Sequence, residues 1–181
     1  PGIIVTSLEA AAGLKEALQK AQPEAPQKGT TDSRWEGEGW ELLANEPEAT
    51  RDGHTLFGQV SSGRDCDVGR KVRSMSRKVS LGPRPELSYV RRLDLNASVN
   101  DYTSARFSVL IDGIPVDEAS AVGMDHVESE WLQRSDIDLT QFADRTVTLT
   151  FEVAASSNVC NEVSAKAWVD RVRIKTVSPL G

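Results

Sequence analysis

From residue 34 onward, apolar and polar positions alternate in short runs broken by turn residues, the pattern of antiparallel strands with one buried face. The clearest run is 146–154. There Val147, Leu149, Phe151 and Val153 share one parity and Thr148, Thr150 and Glu152 the other, so one face is buried and one is wet. Strands are predicted at 34–43, 55–60, 72–81, 87–95, 105–111, 114–118, 131–139, 146–154 and 167–175. Asp112-Gly113, between two of these runs, has the composition of a two-residue hairpin, in which both central residues take positive φ. So many short strands predict an all-β fold, an antiparallel two-sheet β-sandwich.

The N-terminal pattern is different. Over residues 6–20 the chain is made of helix formers, and Leu8, Ala11, Ala12, Leu14 and Leu18 fall mostly along one side of a helix. Thr6 and Glu9 stand in capping-box spacing, and Pro23 and Pro26 end the run in a stretch, 22–33, that has little to bury. The expected organisation is a short N-terminal α-helix and linker arm, 1–33, followed by a sandwich domain, 34–181. Alone in water so short a helix is marginal, so its apolar stripe must rest on the domain or on a partner.

Composition narrows the partners. A chain of 181 residues suits one domain with a real core. With 21 basic and 27 acidic side chains, a net charge of -6 and no isolated Lys/Arg run, it lacks the footprint of a nucleic-acid binder. No apolar stretch approaches the ~20 residues that cross a bilayer, so no membrane insertion is expected. The chain opens at Pro1 without a leader, and is expected to be a processed or excerpted piece. Cys66 and Cys160 sit in polar, loop-like contexts and form no CxxC pair. They are read as one disulfide, which implies an oxidising compartment outside the cytoplasm; the alternative is two unpaired surface thiols.

Several ordered segments carry a resemblance: Gly39-Trp40; the run 107–113 with its hairpin; Trp131 before a polar strand; 137–151; and Ala167-Trp168-Val169-Asp170-Arg171-Val172-Arg173-Ile174. Together they resemble the galactose-binding-like jelly roll of carbohydrate-binding modules and related appended domains of secreted bacterial proteins. The resemblance spans about three quarters of the chain. It implies a short helical corner over 139–145, where a Gly often stands in the place of Asp144, and a closing strand carrying an Asp, here Asp170. It also implies ligand binding through loops or an open sheet face. The segments 119–130 and 155–165 match nothing in that pattern and are expected to be loops.

Candidate sites follow from chemistry. Asp170 shares parity with Trp168, Val172 and Ile174, which points it toward the apolar side, where a bare carboxylate is costly. It must hold a cation, accept several hydrogen bonds or lie at an open end, and the resemblance implies a structural Ca2+ as one candidate. No other cofactor is expected. His126 among Asp125, Glu128 and Glu130 lacks the spacing of a metal site and reads as a solvated acidic loop. No nucleophile elbow, phosphate loop or diagnostic carboxylate pair is present, so no enzymatic role is expected. Sugar rings stack on aromatics, and Tyr89, Arg91, Tyr102 and Trp131 are the candidate ligand-binding residues, whereas Trp40 and Trp168 are assigned to the core. The expected function is non-catalytic recognition of a glycan. The alternative is an extrinsic subunit of a protein assembly, docked through the helix at 6–20 and its linker arm.

Overall fold

The computed structural model describes residues 35–44 and 54–176; the helix expected at 6–20 and the linker at 22–33 lie outside them. Strands β1 (Glu36–Glu38), β4 (Gly69–Ser80), β10 (Thr146–Ser157), β6 (Ser104–Ile111) and β7 (Ile114–Val122) form one antiparallel sheet in that spatial order. The other sheet runs β2 (Trp40–Ala44), β3 (His54–Ser62), β11 (Val163–Thr176), β5 (Pro85–Ala97), with β8 (Asp125–Glu128) and β9 (Leu132–Asp138) both pairing along β5. From β3 to β6 the chain changes sheet at every connection. Among the described residues there is no α-helix, and none is long and apolar enough to cross a membrane.

The alternation expected in β10 is realised: Val147, Leu149, Phe151 and Val153 are buried, and the residues between them are not. Phe151 is central to the core, its ring 5.6 Å from Tyr89 and 6.3 Å from Phe107. The hairpin forms between β6 and β7 with Asp112 at φ 50 and Gly113 at φ 82, joining the paired Ile111 and Ile114. The Asp112 carboxylate also accepts the Thr148 N–H at 2.8 Å, which ties the turn to β10. The implied corner before β10 is a single 3-10 turn, Thr140–Phe142, and Asp144 takes φ 60, the conformation a glycine adopts without strain.

Three expectations are corrected. The strand predicted at 34–43 is two strands in different sheets, because Gly39 at φ 78 turns the chain from β1 into β2. Neither 155–165 nor 119–130 is a loop throughout: β10 runs on to Ser157 and β11 starts at Val163, while β7 runs on to Val122 and β8 follows. That strand is invisible to periodicity because three of its four residues are exposed. Third, β11 changes phase. Between Asp170 and Arg173 it gains a residue relative to β5, and Arg171 takes φ 53. Ahead of this bulge Val163, Ala165, Ala167 and Val169 point inward; beyond it Ile174, opposite buried Leu87, does so. Trp168 and Asp170 therefore lie on the outer face, not in the core.

Cys66 and Cys160 are bonded, joining the turn after β3 to the loop between β10 and β11 across 94 residues.

Candidate functional site

Register turns the outer face of the six-stranded sheet into a grid. Trp168 of β11 stands opposite Phe57 of β3 on one side and Arg92 of β5 on the other. The Phe57 and Trp168 rings are 4.9 Å apart, and the Arg92 guanidinium lies over Trp168, 4.1 Å from its centroid. Beyond β5, where β8 has ended and β9 not yet begun, Trp131 brings its ring to 5.7 Å from the same guanidinium. Phe57, Trp168, Arg92 and Trp131 thus make one continuous row, each member half-buried. It crosses three strand spacings, roughly 14 Å.

A polar row runs beside it, two residues along each strand: Gln59, Lys166, Asp94 and Glu128 are successive cross-strand partners. A second, Ser61, Ser164, Asn96 and His126, lies beyond it. His126 Nε2 is 2.8 Å from Asp94 Oδ1, so that carboxylate has a partner within the face. The arrangement offers aromatic rings with one guanidinium among them along one line and hydrogen-bonding groups of both kinds along the next.

On the opposite side of the aromatic row are Thr55, Asp170, Val90 and Gln133. Asp170 is only 5 % exposed. Its Oδ2 accepts the Thr55 hydroxyl at 3.2 Å and its Oδ1 the Arg171 N–H at 2.7 Å, so it is a hydrogen-bonded carboxylate. Among the described residues no three His, Cys, Asp or Glu side chains converge in a way that could hold a metal ion.

The other sequence candidates separate. Tyr89 is 0 % exposed, so its ring offers nothing to a ligand. Its hydroxyl donates to Asp117 Oδ2 at 2.7 Å, and burial pushes its pKa well above the ordinary phenol value, with the Asp117 hydrogen bond and charge adding to the rise. Arg91, also buried, lies 3.6 Å from the same oxygen and packs over the Phe107 ring. Arg134 of β9 completes the cluster with two bonds to Asp117, Nε to Oδ2 at 3.0 Å and an Nη to Oδ1 at 2.9 Å. Burial opposes ionisation of Asp117, but hydrogen bonds from Arg134 and Tyr89 and the charges of Arg91 and Arg134 prevail and hold its carboxyl below the usual carboxylate range. Since Asp117 belongs to one sheet and its partners to the other, the cluster is a polar clasp between sheets.

Tyr102 is 80 % exposed on the loop between β5 and β6, and makes no ring contact with the row. Trp131 does belong to the row. Its indole N–H is shielded and finds no acceptor among the described residues, so it is the ring that it presents. Missed in the sequence were Phe57, Arg92 and Trp168. The available signal was parity with the polar positions upstream in β11, Ser164 and Lys166, rather than with Val172 downstream.

No family model matches the chain, and no curated protein matches it. Solved structures do. A carbohydrate-binding module of family 28, specific for non-crystalline cellulose, is 13 % identical with a TM-score of 0.45, over 84 % of this chain and 92 % of that one. A cleaved adhesin domain of Lys-gingipain from Porphyromonas gingivalis is 12 % identical with a TM-score of 0.48, over 81 % and 92 %. A family 27 module of Caldicellulosiruptor saccharolyticus, solved with mannohexaose, is 10 % identical with a TM-score of 0.45, over 77 % and 83 %. Carbohydrate-binding modules thus recur among the solved structures similar to this chain, at identities that assign no ligand.

Proposed function

We propose that the chain is a non-catalytic carbohydrate-binding module that holds a glycan across the outer face of its six-stranded sheet. The observation that carries this reading is the row Phe57, Trp168, Arg92 and Trp131 lying beside a row of hydrogen-bonding side chains. A pyranose has apolar faces and a polar rim. Its faces are desolvated favourably on aromatic rings, while each hydroxyl taken from water needs a new partner. An aromatic line with Gln59, Lys166, Asp94 and Glu128 alongside meets both demands, and its length suits a short stretch of oligosaccharide rather than one sugar. The Cys66–Cys160 bond supports an extracytoplasmic setting.

The test is calorimetric titration of the full chain with soluble oligosaccharides chosen from a glycan array, beside Trp168→Ala and Trp131→Ala. Both rings are on the outer face, so the variants should retain the fold while Trp168→Ala weakens binding at least ~10-fold, the worth of a lost stacking contact and its buried area. Unchanged affinity in both variants would place the glycan elsewhere.

A further inference from the structure

Arg92 is the unusual member of the row. Its guanidinium carbon lies 4.1 Å from the Trp168 centroid and 5.7 Å from that of Trp131. Yet among the described residues it makes no hydrogen bond and no ion pair. Asp94, the acid next to it along β5 in the polar row, is engaged by His126. Lys166, diagonally adjacent to Arg92 in the polar row, likewise has no ion pair among the described residues. The centre of the face therefore holds two cations that make no ion pair among the described residues, one of them a planar fork beside two indole rings.

A stacked guanidinium still has its in-plane N–H donors directed outward, and that fork matches the two oxygens of a carboxylate. A sugar hydroxyl uses only part of it. Resting on the glycan-binding reading, we infer that the ligand is an acidic glycan, with the carboxylate of a uronic acid received by Arg92 while its ring, or the neighbouring one, lies on Trp168. Lys166 adds a second positive charge on the side of the polar row. Asp94 and Glu128, farther toward the sheet edge, accept hydroxyls from the neutral sugars of the chain.

The experiment titrates the full chain with oligogalacturonate and a glucuronate-bearing xylooligosaccharide, against cellohexaose and mannohexaose, and repeats the set with Arg92→Gln, Arg92→Lys and Trp168→Ala. Thermal melts confirm that each variant is folded. The expected result is a preference of ~10- to 100-fold for a uronate ligand, the worth of a charge-assisted pair. Arg92→Gln should abolish that preference, bringing the uronate affinity down to that of the neutral ligands measured with the same variant. Arg92→Lys should keep part of it, and Trp168→Ala should lose both classes. Neutral oligosaccharides bound as tightly as uronates, with dependence on Trp168 intact, would overturn the acidic assignment and leave the glycan-binding reading standing. Tight binding of dextran sulfate but not of uronates would overturn the carboxylate. Binding of neither class would remove both.

Discussion

Asp117→Ala is the sharpest test of how the sandwich is held together. The carboxylate is 8 % exposed and accepts bonds from Tyr89 at 2.7 Å and Arg134 at 2.9 and 3.0 Å, with Arg91 at 3.6 Å. Its removal strands two buried groups. The Tyr89 hydroxyl loses its acceptor, at a cost of ~1 to 3 kcal/mol, and the Arg91 charge is left buried without a counter-ion, which costs about 3 to 5 kcal/mol when a buried pair is broken. These overlap, since one relaxation or one entering water relieves both. Arg134 has 40 % of its side chain exposed and turns to solvent at little cost. We expect a total loss of about 3 to 5 kcal/mol, a large fraction of the ~5 to 15 kcal/mol that holds a typical domain. The assay is guanidinium unfolding, with a lowered midpoint at unchanged slope. Tyr89→Phe, which leaves the ion pairs intact, should cost only about 1 kcal/mol, and the double variant less than the sum. A loss under ~1 kcal/mol for Asp117→Ala at unchanged slope would refute the reasoning, because it would mean that water already reaches Arg91 and Tyr89 in the folded protein.

Three further outcomes are expected. Because the folded pKa of Asp117 lies below its ordinary value of 3.8, its contribution to stability is full above that value and is lost as pH falls from there through the folded pKa; acid titration of the unfolding midpoint should show this loss in the wild type and not in Asp117→Ala. Opening the Cys66–Cys160 bond, which closes 94 residues, should cost about 4 to 5 kcal/mol by chain entropy, read from the unfolding midpoint of the double Cys→Ser variant. Gly58→Ala should destabilise by ~1 to 3 kcal/mol instead of stiffening the strand, since a Cβ there would lie 2.1 Å from the buried Trp40 ring; a melt at or above the wild-type temperature would refute that packing.

The residues themselves determined much of this protein. Alternation in 146–154 required one buried face, Asp112-Gly113 required a hairpin, and two cysteines in polar loops required little more than proximity to pair. The first two are local features, fixed by the two-residue period of a strand or by the φ of a turn, whereas the disulfide needed the fold to bring its two loops together. Tertiary structure decided which residues face a ligand. Trp168 shares parity with Val172 in sequence, but the extra residue between Asp170 and Arg173 reverses the phase and puts the indole on the outer face. Tyr89 and Arg91 look like an opening toward water within β5, yet Asp117 arrives from the far sheet and makes them part of the core. Phe57, Trp168 and Arg92 are distant in sequence and become neighbours only through the pairing of β3, β11 and β5. Register between remote strands is set by the whole core at once, which is why the face that carries the proposed function is absent from any window of the chain.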